Sequence, residues 1–113
     1  MIPRIIHQTW KTDRIPEGFR CWRQSWTAFN PGWRTELWSD RRLLDFVAAN
    51  YPDLLDLFCA FPHGVMRADA ARYMLLHRFG GVYADIDTEC LAPLDRLADE
   101  TRVVLSHEPS THW

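Results

Sequence analysis

The sequence predicts an α/β fold, a mostly parallel sheet with helices on its faces, and three observations predict it. Short strand-like segments, the β-branched "RIIHQT" from Arg4 to Thr9 and "RTELWS" from Arg34 to Ser39, alternate with stretches whose apolar residues recur at helical spacing. Turn residues such as "NPGW" and "FGG" punctuate the joins. A third apolar run, "VYADI", follows the longest helical pattern after only two glycines, as a crossover returning to a parallel sheet requires.

Each element has its own reason. The first strand follows Pro3 and gives way to the polar loop "KTDRIPEG". Glu17 to Phe29 reads as a helix because Phe19, Trp22, Trp26 and Phe29 recur every three or four residues. The second strand ends at Ser39, and Ser39 or Asp40 can cap the helix that opens with "RRLLDFVAA". Pro52 stops it, "DLLDLFCAF" makes a further short helix, and "PHG" interrupts again. Val65 to Phe79 carries the longest pattern, with Ala68, Arg72, Leu75 and Phe79 on one stripe and Asp69, Tyr73 and Leu76 beside it. Gly80 or Gly81 can take the left-handed conformation that ends a helix. "APLDRLA" is expected as a loop or short helix and "RVVLS" as a further strand.

At 113 residues the chain is one domain's worth, able to bury roughly two-thirds of its unfolded surface. A formal charge of −2 supplies no basic field for nucleic acid or an anionic membrane. Twelve arginines against Lys11 alone offer forked donors for carboxylates and phosphates, although genomic base composition produces the same bias. Cys21, Cys59 and Cys90 are odd in number and widely spaced, so reduced thiols are expected. No transmembrane segment or signal peptide is legible. The expected location is cytoplasmic, with peripheral placement at the inner membrane face as a variant.

Asp85 and Asp87 interrupt a run that an ordinary buried strand would continue with apolar residues. In an extended segment side chains at i and i+2 point the same way, so the two carboxylates are expected to converge while Ile86 turns to the core. Adjacent carboxylates repel unless a cation or shared proton relieves them, and Mn²⁺ or Mg²⁺ suits oxygen ligands while leaving room for phosphate oxygens. By itself D-x-D is a weak signal, since two aspartates in a solvated turn read the same way. Asp69 and Arg72, three apart on the preceding helix, either form an ordinary surface pair or bind sugar hydroxyls and a phosphate or sugar oxygen.

"RADAARYMLLHRFGGVYADIDTEC", together with "IPRIIHQTW" and "NPGWRTELWSD", resembles the glycosyltransferase family with the DXD sugar-binding region (family 32). That family includes yeast initiating mannosyltransferases, inositol-phosphoceramide mannosyltransferases and bacterial capsule-sugar transferases, with clostridial glucosylating toxins as distant relatives. The resemblance implies a GT-A nucleotide-sugar-binding sandwich and a metal-dependent retaining transferase. It would move a hexose from a UDP- or GDP-sugar donor to a glycan or lipid-linked acceptor. It also implies catalytic roles for Asp85, Asp87 and Arg72: Asp87 and Asp85 ligate Mn²⁺ or Mg²⁺, and Asp69, Arg72 and Asp85 bind the donor sugar. Trp10 falls where the toxin relatives stack the nucleotide base, with simple packing as the alternative.

His7 reads as a satisfied core histidine, and Tyr73, Tyr83 and the other tryptophans read as core. The family normally continues well beyond the D-x-D. The 113 residues are therefore expected to form one donor-binding domain, incomplete at its C-terminal side and lacking the acceptor-side segment. His107 and Glu108 are left without a role. Two rivals remain: a haloacid-dehalogenase-like phosphohydrolase, for which Thr88 stands one place early and a downstream lysine is missing, and a non-catalytic nucleotide-sugar-binding fragment.

Overall fold

The computed structural model describes residues 2–95. Three strands, β1 (Ile5–Thr9), β2 (Arg34–Trp38) and β3 (Val82–Tyr83), form a parallel sheet in the order β2-β1-β3. The register pairs His7 with Glu36 on one side and with Tyr83 on the other. Helix α1 (Glu17–Phe29) links β1 to β2, and α2 (Asp40–Asn50), α3 (Leu55–Ala60) and α4 (Gly64–Phe79) lie between β2 and β3. The predicted α/β class and parallel sheet are present, as a GT-A-like fold requires. The strand expected at "RVVLS" and residues His107 and Glu108 lie outside the described residues.

Helices cover the sheet with two separate cores. On one face Trp38 packs with Leu43, Phe46, Val47 and Phe58 and with Ala71 and Leu75 of α4. On the other, Ile6, Trp33 and Ala84 meet Trp26 of α1, Val82 and Leu94. Strand alternation explains the division, because Ile6 and His7, neighbours on β1, point to opposite faces. Ser39 caps α2 by accepting a hydrogen bond from the Arg42 amide, while Asp40 stands in the helix's acidic first turn. That resolves the choice between the two in favour of the serine. Pro52 opens a 3-10 turn, Pro52–Leu54, that leads directly into α3.

Gly80 and Gly81 have φ of 71° and 96°, conformations that disfavour any side chain. A Cβ on Gly81 would collide with the Ile5 carbonyl oxygen, and one on Gly80 would collide with the Pro3 ring. The two glycines therefore stop α4 and also let the chain run hard against β1. His7 is 1% exposed and fully satisfied: its Nε2 bonds the Gly80 carbonyl at 2.9 Å, and its Nδ1 accepts from the Trp38 indole at 3.1 Å.

Two expectations need correction. The third strand is only Val82–Tyr83, whereas "VYADI" was read as extended through Ile86; a turn at Asp85–Thr88 replaces its second half. Tyr73 is 70% exposed and contributes nothing to either core, and Trp22 is also exposed, whereas both were read as buried. Helical spacing puts Tyr73 beside the apolar stripe, and the α2 and α3 packing captures only the side marked by Ala71 and Leu75.

Candidate functional site

Parallel α/β sheets leave their ligand crevice beyond the carboxyl ends of the strands. Three of the predicted residues lie at that edge: Trp10 follows β1, and Asp85 and Asp87 follow β3. The sheet carries on briefly past the strand, since the Ala84 amide bonds the His7 carbonyl at 3.0 Å. The chain then turns. The Thr88 amide donates to the Asp85 carbonyl at 3.1 Å, the Thr88 hydroxyl donates to the same oxygen, and Gln8 Nε2 reaches it from β1 at 3.4 Å.

The turn removes the strand pleating on which the expected convergence of the two carboxylates rested, and it leaves both of them exposed. Strand pleating was expected to throw Asp85 and Asp87 to one side. Instead a turn pinned by three donors presents them, with Ile86 between them only 6% exposed in the core and both aspartates open to solvent. Ile86 supplies the apolar anchor that tethers an otherwise polar bend.

Arg72 joins the other predicted residues. Its guanidinium lies 3.2 Å from Asp69 Oδ1 and 3.7 Å from Asp85 Oδ1, so one cation bridges the helix and the turn. Its planar group also covers the Tyr83 ring at 4.5 Å from the centroid. Tyr83 in turn shares a hydrogen bond of 2.8 Å with the Thr9 hydroxyl on β1. Burial, first of all, raises the Tyr83 phenol above its ordinary value. Asp69, Arg72 and Asp85 thus stand together. Both carboxylates are well exposed, so each ion pair contributes at most about 1 kcal/mol to stability. Arg72 Nε is buried with no hydrogen-bond partner among the described residues.

Trp10 stands apart from that cluster. It is half-buried, its amide bonds the Trp38 carbonyl, and its ring meets Phe19 edge-on at 5.6 Å. Packing against α1 is therefore observed, and the ring is not fully covered.

The donor set at the turn suits a hard divalent ion. Asp85 and Asp87 offer only carboxylate oxygens, and among the described residues no cation pairs with Asp87. No group of three or more His, Cys, Asp or Glu suited to a metal occurs among the described residues. Two carboxylates leave most of a coordination shell to water and phosphate oxygens, which is how Mg²⁺ is commonly held.

Residues that sequence reasoning missed fix the far side of the turn. The Trp26 indole donates to the Thr88 carbonyl at 2.9 Å, and Ser25 Oγ accepts from the Cys90 amide at 2.8 Å. Asn30, 1% exposed, donates to the Trp26 carbonyl and accepts from the Leu94 amide at 2.7 Å. "NPGW" signalled a turn and nothing about these long-range partners.

Asp85 and Asp87 thus stand exposed on a turn at the carboxyl edge of a parallel sheet, the edge where ligands of open α/β folds bind, with Arg72 against Asp85. The chain belongs to the family described as glycosyltransferase sugar-binding region containing DXD motif, whose profile matches residues 16–104. It is 45% identical over 97 residues to inositol phosphoceramide mannosyltransferase 2 of Schizosaccharomyces pombe, covering 86% of this chain and 28% of that relative. A mannosyl phosphorylinositol ceramide synthase of Saccharomyces cerevisiae is 42% identical over 97 residues, 86% of this chain and 25% of the relative. The initiation-specific alpha-1,6-mannosyltransferase of the same yeast is 31% identical over 114 residues, 94% of this chain and 24% of the relative. The chain thus spans about a quarter of the length of these curated relatives. No solved structure matches it. Family membership displaces the phosphohydrolase alternative. No helix among the described residues is long and apolar enough to cross a membrane.

Proposed function

We propose that this chain forms the donor side of a metal-dependent, retaining glycosyltransferase that moves a hexose from a UDP- or GDP-sugar to a glycan or lipid-linked acceptor. The observation that carries the reading is the bridge from Asp69 through Arg72 to Asp85, at the mouth of the D-x-D turn and inside the family-matched segment. Names of the relatives favour mannose as the sugar and a glycolipid as the acceptor.

In this reading Asp87, with Asp85, holds Mn²⁺ or Mg²⁺. Such an ion, when bound, neutralises charge on the diphosphate. Arg72 donates to a sugar or phosphate oxygen from the edge of its guanidinium, whose face rests on Tyr83, and charge assistance strengthens that bond. Asp69 and Asp85 accept from sugar hydroxyls, and Trp10 stacks the base on its uncovered part. In this reading no carboxylate among the described residues is assigned as a covalent nucleophile; the acceptor hydroxyl attacks from the face the diphosphate leaves, and its proton passes to the leaving diphosphate oxygen.

Calorimetric titration of UDP and GDP, with and without Mn²⁺, tests the proposal. One nucleotide should bind saturably only when Mn²⁺ is present. Absence of binding by either nucleotide at any Mn²⁺ concentration would remove the basis for the assignment. A second reading, for the 113 residues tested by themselves, is donor binding without turnover. It predicts the same titration curve with no sugar released from the nucleotide-sugar.

A further inference from the structure

Asp87 has little backbone freedom of its own. Ile86 before it is buried in the core, and Thr88 after it is tied at both backbone groups: its amide donates to the Asp85 carbonyl at 3.1 Å, and its carbonyl accepts from the Trp26 indole at 2.9 Å. The first bond is internal to the turn and closes it wherever it points. The second comes from 62 residues away, and it sets how the turn sits on the domain.

Trp26 is itself a fixed point. Its ring packs against Ile6, Trp33 and Ala84. Its carbonyl accepts from the Asn30 side chain at 2.8 Å, and Asn30, buried, accepts in turn from the Leu94 amide. Ser25, its neighbour on α1, donates its hydroxyl proton to the Trp22 carbonyl, which leaves an oxygen lone pair for the Cys90 amide at 2.8 Å. The end of one helix therefore holds the chain at Thr88 and again at Cys90, with only Glu89 between them.

Divalent ions differ in what they ask of such a scaffold. Mg²⁺ demands near-ideal octahedral geometry at about 2.0–2.1 Å, whereas Ca²⁺ accepts about six to eight oxygens at about 2.3–2.6 Å in flexible arrangements. A carboxylate that drifts out of place therefore penalises the smaller ion first. Resting on the reading that Asp85 and Asp87 hold a divalent ion, we infer that Trp26 is a positioning residue that tunes this site for a small octahedral cation over Ca²⁺. It acts through the Thr88 carbonyl, which fixes the backbone beside Asp87 and hence the direction of its carboxylate; the indole N–H, a donor only, is no ligand.

Titration of the 113-residue chain with MgCl₂ or CaCl₂ alone, followed through the Asp87 and Thr88 amide resonances, measures both affinities. Trp26→Phe keeps a ring in the core and removes the donor. It should weaken Mg²⁺ binding about tenfold, the scale on which groups that orient metal ligands act, and Ca²⁺ binding by less than about threefold. A bond that only closes the loop would change both affinities by one factor, or neither, and either result overturns the inference. Wild type supplies a second test where Trp26→Phe folds poorly. Coupling is reciprocal, so saturating Mg²⁺ should slow solvent exchange of the Trp26 indole proton by up to about tenfold, and by more than Ca²⁺ does. Exchange that Mg²⁺ leaves unaltered overturns the inference. Saturable Mg²⁺ binding alongside that failure leaves the donor-side reading in place, whereas no saturable shift with either ion removes both.

Discussion

The indole of Trp38 donates to Nδ1 of His7 at 3.1 Å, and this bond fixes His7 as a neutral ring whose Nε2 proton goes to the Gly80 carbonyl. Burial is the main reason its pKa lies below the ordinary 6.5; the Gly80 bond and Glu36 act the other way, and Arg34 adds to the lowering. The folded state therefore refuses a proton that the unfolded chain accepts. Stability from this group is complete above about pH 6.5 and falls as pH drops from there towards the lowered folded value, by at most about 1.4 kcal/mol per pH unit. Urea midpoints measured from about pH 7.5 down to about pH 5 should decline across that window. Trp38→Phe, which leaves Nδ1 without its donor, should cost about 1–3 kcal/mol at neutral pH.

Glu36 supplies a separate acid limb. Burial pushes its carboxyl up, but the hydrogen bonds from Arg34 and Arg42 outweigh burial, and the pKa ends below its ordinary 4.5. Its contribution is present above that value and disappears as pH falls through the lowered one. In Glu36→Gln the decline below about pH 4.5 should be shallower than in wild type, while the His7 window above it stays in place.

Gly81→Ala tests the contact between the end of α4 and β1. A methyl there meets backbone, the Ile5 carbonyl, in a conformation that already disfavours side chains. Strain of this kind costs of order 1–3 kcal/mol, and the collision adds to it. The thermal midpoint should drop sharply, and more than for Gly18→Ala, where a Cβ meets nothing within 4 Å.

Tyr83 holds Arg72 by its ring and is itself held by its hydroxyl. Tyr83→Phe keeps the ring and should preserve nucleotide-sugar affinity to within a few-fold. Tyr83→Leu removes the platform and should weaken it by about tenfold, on the scale of one desolvated cation–π contact. Equal affinities for the two variants would show that Arg72 needs no platform.

Asp87→Asn should abolish the Mn²⁺ dependence of nucleotide binding without destabilising the chain. Its side chain is exposed and has no ion-pair partner among the described residues, so the change in stability should stay within about 0.5 kcal/mol. Unchanged Mn²⁺ affinity would mean that the ion is held elsewhere.

What the sequence disclosed was whatever is decided locally. Helical spacing in Glu17–Phe29 and Val65–Phe79, and glycines at 80 and 81, located the elements to within a residue or so because periodicity and positive φ are properties of short segments. Asp69 and Arg72 were paired correctly for the same reason. The Asp85–Thr88 turn was not legible, since Gln8 comes from 77 residues away to help hold it. Asn30 gave no warning of its role because its partner at Leu94 is 64 residues distant. Tyr73 was misjudged because a periodic stripe does not say how wide a swath the neighbouring helices will cover.

Hydrogen bonds with Gln8 on one flank, and on the other with Ser25, Trp26 and the Asn30 amide, which donates to Cys90 Sγ, moor the Asp85–Cys90 stretch to two different layers of the domain. A loop moored on both banks has little freedom to swing, so whatever docks there meets acidic groups already in station. The ordering entropy is spent during folding and leaves the encounter itself cheap. Motion that any turnover cycle demands must then come from elsewhere in the molecule, because this bend is a quay and not a gate.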